Sequence, residues 1–302
     1  MVGMHTKHIG GQAVIEGVMM KSPFGWSVAV RDPKGAIQFK TVRTKQPRPF
    51  FKLPVVRGVV ALGQALRIGV KAIEYSGSVA YEEQDKPMSS WSVALSIGLA
   101  IVLAIGLFKF LPLLAATFLS TVSPQVASSS FLFNLVDGVV RVAVFLFYVF
   151  AIGLWKEMRR IYEYHGAEHK VIYAYEAGDE LSVENALKYR PFHPRCGTSF
   201  LLIVMVISIL IFMLIPQQWS FLEKLLARLA LLPLLAGVAY ETLKLSARMK
   251  NNALLGIIAA PGLLLQRLTV REPDTSQIEV ALAALQQVIE IEGRPQETAE
   301  TC

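Results

Sequence analysis

Two histidines and a glutamate form an H-x-x-E-H pattern, His165, Glu168 and His169, directly after a long apolar segment. Helix positions three or four residues apart share one face, so the two imidazoles and the carboxylate converge. In hydrolytic zinc sites the histidines bind the metal and the glutamate takes a proton from water. The pattern therefore predicts a divalent metal, zinc first, with Glu168 as catalytic base. The alternative is an interfacial helix whose histidines hydrogen-bond to tyrosines and lipid headgroups.

A catalytic zinc takes three protein ligands, and the sequence offers three candidates for the third. His193 and Cys196 form an H-x-x-C pair in a loop that two prolines stiffen, and a thiolate is a soft metal ligand. Glu241 ends an apolar segment, where an unpaired carboxylate is costly. Pairing of Glu241 with Lys244 or Arg248 is the competing interpretation. The pattern leaves all three residues open as ligands.

Two further site candidates, Gln12 and Glu16, lie in the glycine-rich stretch GGQAVIEGVMM near the N-terminus. A glycine-rich turn beside a carboxylate can close over a metal site. The pattern by itself favours a plainer interpretation, in which this stretch is a strand flanked by turns.

The protein as a whole has an apolar composition. Its 302 residues are 53% hydrophobic and only 18% charged, with a mean hydropathy of +0.46. This composition favours a mainly α, polytopic membrane protein over a soluble one. About four stretches are long enough to span a bilayer, and a fifth, interrupted by a Pro-Gly pair, suits a re-entrant or interfacial helix. In chain order the stretches are 91–114, 131–155, 198–215, about 225–243 and, as the fifth, 253–265.

The distribution of lysine and arginine predicts the topology. Basic residues outnumber acidic ones before residue 90 and cluster at 156–195 and 244–271, whereas 115–130 carries no charge. By the positive-inside rule both termini and the 156–197 loop are cytoplasmic. We therefore expect a multi-pass protein of the bacterial cytoplasmic (inner) membrane. The lipid bilayer, not nucleic acid, explains the net charge of +7.

The pattern divides the chain into four parts. Residues 1–52 are predicted to form a small cytoplasmic β unit, because 12–43 alternate in period two around an Asp-Pro-Lys-Gly turn. An amphipathic helix and a connector follow at 53–90. The transmembrane domain, 91–271, contains the cytoplasmic 156–197 site loop, whose helix we expect to continue the second span. A C-terminal amphipathic helix and an acidic tail occupy 272–302.

Six blocks of sequence together are similar to one known family. They are GGQAVIEGVMM at 10–20, HGAEHK at 165–170, Glu184-Asn185, HPRCGTSF at 193–200, LPLLAGVAYE at 232–241 and PGLLLQRLT at 261–269. The chain resembles the YqhQ-like family of bacterial multi-pass membrane proteins, whose function is unknown and which are described as predicted metal-dependent enzymes. The resemblance implies that blocks 10–20, 165–170, 193–200 and 240–241 belong to one site, and it adds Glu184 and Asn185 as site candidates.

The function expected from these observations is a membrane-embedded metal-dependent hydrolase with its site at the cytoplasmic membrane interface. Its substrate is unknown, and a peptide or a lipid-linked molecule would reach such a site laterally. The alternative is a noncatalytic membrane protein that acts in insertion, assembly or transport, with the polar cluster as a structural knot. Asp137 and Arg141, four residues apart in the second span, are expected to form a structural or partner-binding pair.

Overall fold

The computed structural model describes residues 9–44, 53–81, 90–193, 196–216, 218–248 and 262–293. The protein is mainly helical and carries a four-stranded antiparallel sheet at its N-terminal end, in the order β1-β2-β3-β4. The strands are β1 (Gly10–Val14), β2 (Gly17–Lys21), β3 (Gly25–Arg31) and β4 (Ile37–Arg43). The longer helices are α1 (Val56–Ala80), α2 (Ser90–Ile105), α3 (Leu111–Val122), α5 (Ser130–Ile152), α6 (Lys156–Ala177), α8 (Gly197–Phe212), α9 (Phe221–Ala230), α10 (Leu232–Arg248) and α12 (Thr275–Gly293). The shorter ones are α4 (Pro124–Ser128), α7 (Val183–Leu187) and α11 (262–269).

The predicted β-hairpin is confirmed as β3 and β4. Its turn is closed by the Asp32 carboxylate, which accepts hydrogen bonds from the backbone N–H groups of Lys34 and Ala36. The glycine-rich stretch, however, is not one strand but a second hairpin, β1 and β2. Glu16 occupies its tight turn with a φ of +49°, a left-handed conformation that a side chain rarely adopts.

Both faces of the sheet are covered, because side chains alternate between faces along each strand. Met20 and Ala29 pack with α6 and α12, whereas Met19 and Val28 pack with α1. We call the resulting assembly of the sheet with α1, α6 and α12 the layered body. The C-terminal helix α12 buries nine of its 19 residues there instead of lying as a separate amphipathic segment. The two ends of the chain therefore build one core.

The remaining apolar helices form a second region, the helical body, made of α2 to α5, α8 and α9. A π-helical turn, Gly106–Phe110, joins α2 to α3. Among the described residues two helical stretches, Ala94–Val122 and Ser130–Ile152, are long and apolar enough to cross a membrane. They overlap the first two predicted spans, although the first stretch extends to Val122 and not only to residue 114, and they allow membrane localisation.

The third and fourth predicted spans differ from this expectation. The third corresponds to α8, whose apolar stretch Phe200–Phe212 is shorter than a typical span. The fourth is divided into α9 and α10 by a turn at Leu231. The stretch 253–265 lies outside the described residues up to 261, and 262–269 is helical. The predicted tail beyond residue 293 also lies outside them.

The helix that carries the H-x-x-E-H pattern does not continue the second span, and that prediction is wrong. The apolar helix α5 ends at Ile152, and Trp155 has an extended backbone before α6 begins at Lys156. The break makes α6 independent of the apolar helix, so that α6 packs on the sheet. Helix α6 ends at Ala177, and Gly178 follows it with a φ of +82°.

Candidate functional site

Helix α6 presents His165, Glu168 and His169 on one side. Gly166 allows the backbone of Arg271 to cross the helix here, because a Cβ atom at residue 166 would lie only 2.0 Å from the Arg271 carbonyl oxygen. The Arg271 N–H donates to the Tyr162 carbonyl at 2.9 Å and holds this crossing. The segment after α11 is thereby fixed against the two imidazoles.

The structure brings one further ligand-type side chain to the two imidazoles, the thiol of Cys196. The ligand atoms of His165, His169 and Cys196 lie within 4.8 Å of one another. The distance from Nε2 of His165 to Sγ of Cys196 is 3.1 Å, and the two imidazole centroids are 4.5 Å apart. Nitrogen and sulfur ligands of a tetrahedral zinc lie about 3.5 Å apart, so the distance between His165 and Cys196 is within a few tenths of an ångström of that value.

Backbone carbonyls orient both imidazoles. Nδ1 of His165 lies 2.9 Å from the Thr269 carbonyl oxygen, and Nδ1 of His169 lies 2.5 Å from that of Pro191. When each Nδ1–H donates to its carbonyl, each Nε2 keeps its lone pair for a metal, as in many metal sites. Nε2 of His169 is buried and has no hydrogen-bond partner among the described residues. Burial lowers the pKa of His169 and favours the neutral imidazole.

His193 is not part of the cluster of His165, His169 and Cys196, but its ring lies near that of His169. Its imidazole centroid is 5.7 Å from that of His169 and 4.4 Å from the Tyr173 ring. Gln266, which is fully buried on α11, accepts from the His193 N–H at 2.8 Å and donates to the His193 carbonyl at 2.7 Å. This double hydrogen bond fixes the loop that leads to Cys196.

Glu168 lies beside the cluster and is almost fully buried. One of its carboxylate oxygens is 3.5 Å from Nε2 of His169, and the carboxylate also interacts with the backbone N–H of Gly11. Burial raises the pKa of Glu168, while His165 and His193 oppose that effect. A Cβ atom at residue 11 would lie 2.8 Å from Cγ of Glu168, so glycine permits this close approach of β1.

These groups line a cleft of about 810 Å³, within the usual size range of small-molecule sites. The elements β1, β2 and α1 also line the cleft, to which they contribute Gln12, Lys21 and Ile68. Burial lowers the pKa of Lys21. Leu201 of α8 also lines the cleft and is 47% exposed, so the cleft borders the apolar helical body.

Four predicted site residues lie outside the cleft. Glu16 binds the Arg160 guanidinium and accepts a hydrogen bond from the Tyr164 hydroxyl at 3.3 Å, so it fastens the β1–β2 turn to α6. The other three are Glu241, which binds Arg57 of α1, Asn185, which donates to the Glu180 carbonyl at 2.9 Å, and Glu184, which is exposed on α7. The blocks at 10–20, 165–170 and 193–200 therefore meet, whereas 240–241 is held by α1.

Gln266 and Thr269 support the cluster, although the sequence patterns assign no role to either. Both belong to the block PGLLLQRLT, and their place in that block was the one feature of the sequence that could have indicated them as site residues. Gln266 acts through its side-chain amide and Thr269 through its backbone carbonyl. Rules for the spacing of metal ligands consider neither group. Lys21 and Ile68 were missed for a similar reason, because only the packing of α1 on the sheet brings them to the cleft.

The fold and the site define a mainly helical protein with two apolar helical stretches of spanning length and a largely buried cluster of two histidines and a cysteine. The chain belongs to the family described as protein of unknown function (DUF1385), which matches residues 53–291. It is 30% identical over 296 residues to the uncharacterized protein YqhQ of Bacillus subtilis (strain 168), with 94% of this chain and 93% of that protein covered. The YqhQ-like resemblance is thus confirmed. No solved structure matches the chain.

Proposed function

We propose that the protein is a metal-dependent hydrolase in which His165, His169 and Cys196 hold a divalent cation and Glu168 is the catalytic base. The observation that carries the proposal is the convergence of three ligand atoms within 4.8 Å beside a buried carboxylate. Three protein ligands leave one position of a tetrahedral ion open, as catalytic zinc requires.

Charge balance supports this ligand set. A Cys196 thiolate and a Glu168 carboxylate together offset the two positive charges of a zinc ion, while the neutral imidazoles add none. Zinc bound there would polarise a substrate carbonyl or phosphoryl group and acidify a bound water. Glu168 would accept a proton from that water, since its carboxylate lies on the cluster side of α6 and is held by the Gly11 N–H.

The substrate we propose is a peptide or a lipid-linked molecule that enters from the membrane side. The proposed catalytic groups line the cleft together with the apolar side chains of Ile68 and Leu201. An acyl chain or an apolar peptide segment would pack on these walls while a polar bond reaches Glu168. A cytoplasmic, multi-pass arrangement in the bacterial inner membrane fits this route of entry.

The first test is metal analysis of the purified full-length protein. The wild type should retain about one equivalent of zinc, and the His165→Ala, His169→Ala double variant should retain almost none. With Co²⁺ in place of zinc, the wild type should show a thiolate-to-metal charge-transfer band that Cys196→Ser lacks. Equal, near-zero metal in the wild type and the double variant would remove the metal from the proposal.

The second test separates catalysis from a structural role. Glu168→Gln should keep its metal and its fold but fail to complement a strain that lacks the protein, because an amide cannot accept the proton. A Glu184→Gln variant, changed at an exposed carboxylate of α7, serves as the matched control. Full complementation by Glu168→Gln would favour the alternative, a noncatalytic membrane protein in insertion, assembly or transport.

A further inference from the structure

The helical body buries a second polar group of residues, centred on Asp137 of α5. The guanidinium groups of Arg141 and Arg228 both bind the Asp137 carboxylate, the latter at 2.5 Å. Ser208 and Asn134 accept further hydrogen bonds from the two arginines, at 2.6 and 2.9 Å. All five side chains belong to residues that are at most 3% exposed. Two buried cations therefore share one carboxylate.

Two lysines add to this positive charge. Lys109 lies 5.1 Å from the centre of the Phe212 ring, which Arg141 and Arg228 also contact. Lys224 lies 4.4 Å from the centre of the Phe133 ring. Within the part of the chain that the structure describes, neither lysine forms an ion pair with a carboxylate. Aromatic rings stabilise a cation only in part, so this region has a surplus of positive charge.

One of these lysines opens onto a cavity. Lys224 is only 9% exposed, and it lines a cavity of about 390 Å³ together with Thr117, Ser120 and Gln218. The cavity lies where α3 ends and α5 begins, at the end of α5 opposite to the break before α6. It is therefore a different site from the cleft of the layered body.

The hydroxyl groups of this cavity are hydrogen-bond acceptors. Thr117 donates its proton to the Leu113 carbonyl at 2.8 Å, and Ser120 donates to the Thr117 carbonyl at 2.6 Å. The lone pairs of both oxygens remain available to donors in the cavity. A lysine and two acceptor hydroxyl groups that line one cavity match a small ligand that carries both an anionic group and hydroxyl groups.

We propose that this cavity binds a phosphate ester with free hydroxyl groups, of the glycerophosphate type. The Lys224 ammonium pairs with the phosphate, and the hydroxyl groups of the ligand donate to Thr117 and Ser120. A bound phosphate also offsets the surplus charge of the arginine and lysine side chains behind it. The same chemistry is offered by a phosphatidylglycerol headgroup and by soluble glycerol phosphate.

The experiment uses the full-length protein purified in a nonionic detergent, with lipid binding measured by native mass spectrometry. Phosphatidylglycerol should bind roughly tenfold more tightly than phosphatidylcholine, which lacks the hydroxyl groups and is zwitterionic. Lys224→Gln should lose about that factor, whereas Lys156→Gln, changed at an exposed lysine at the start of α6, should not. Equal binding of phosphatidylglycerol by all three proteins would overturn the proposal.

A second variant tests the acceptor oxygens without removing the charge. Wild type should prefer phosphatidylglycerol to phosphatidic acid, and the Thr117→Val, Ser120→Ala double variant should lose that preference while still binding phosphate. An unchanged preference in the double variant would overturn the proposal even where Lys224→Gln does not fold. Displacement of bound phosphatidylglycerol by soluble glycerol phosphate would identify the soluble compound as ligand, and no displacement would identify the lipid.

Discussion

The layered body and the helical body both bury polar groups, but they compensate them in different ways. In the layered body the histidines are held by backbone carbonyls at one nitrogen, and the other nitrogen faces the cluster around Cys196. In the helical body the charges of Asp137 and Arg228 compensate each other directly. The first arrangement therefore leaves the imidazoles free to coordinate a ligand, whereas in the second the Asp137 carboxylate is already engaged by Arg141 and Arg228.

The largest effect should come from breaking the helical network. Asp137→Asn leaves two buried guanidinium groups without a carboxylate, and we expect a loss of about 3–5 kcal/mol in the free energy of unfolding. Denaturant unfolding of the detergent-solubilised protein measures it, with Glu184→Gln as the exposed control. A change below about 0.5 kcal/mol, the usual size for a surface substitution, would show that the network is not needed for packing.

The next largest effect is expected at Gly166, where the backbone of Arg271 crosses helix α6. Gly166→Ala places a methyl group against the Arg271 carbonyl, so that the segment carrying the Thr269 carbonyl must move. We expect a cost of about 1–3 kcal/mol and a clear loss of bound zinc. Gly197→Ala is the matched control, because a Cβ atom there meets nothing within 4 Å. Equal zinc content in the two variants would contradict the positioning role of the crossing.

A smaller effect is expected from removing the hydrogen bonds by which Gln266 holds the loop before Cys196. Gln266→Leu removes both hydrogen bonds to the His193 backbone and should weaken zinc binding by roughly tenfold, as typical for outer-shell partners. Gln277→Leu changes another fully buried glutamine, which binds the Asp274 N–H in the layered body. It should lower stability but leave zinc affinity intact. Similar zinc loss in both variants would mean that general destabilisation, not loop position, explains it.

The smallest effect is expected at Glu241, one of the three candidates for the third ligand. Its ion pair with Arg57 is partly exposed, so Glu241→Gln should cost at most about 1 kcal/mol. Zinc content should stay at the wild-type level, as determined by metal analysis. Substantial zinc loss in this variant would return Glu241 to the metal site and would require α1 and α10 to rearrange.

The local elements could be predicted in large part from the sequence. The alternation around Asp32 identified the β3–β4 hairpin, and the apolar length of the first two spans identified α2 and α5. Most of α3 lies beyond residue 114, where the first span was predicted to end. The second hairpin was missed because its turn places Glu16, not glycine, in a left-handed conformation. The break between α5 and α6 was missed because a helical periodicity continues through Trp155 without a proline.

Only the part of the candidate site that lies on one face of α6 could be predicted from the sequence. Helical spacing alone placed His165, Glu168 and His169 together, since residues one turn apart must be neighbours. No spacing rule chooses among Cys196, His193 and Glu241, because their distance from α6 depends on loops and on other helices. The structure places Cys196 at the cluster and Glu241 against Arg57.

The sequence by itself determined the apolar character of the chain, its hairpin, and the pairing of two imidazoles with a carboxylate, because these depend on composition and on short-range periodicity. The tertiary structure alone decided that α12 returns to complete the core of the N-terminal sheet, and that Gln266 and Thr269 orient the imidazoles and their loop. Such long-range contacts depend on packing between segments far apart in the chain, for which no local pattern of residues carries a signal.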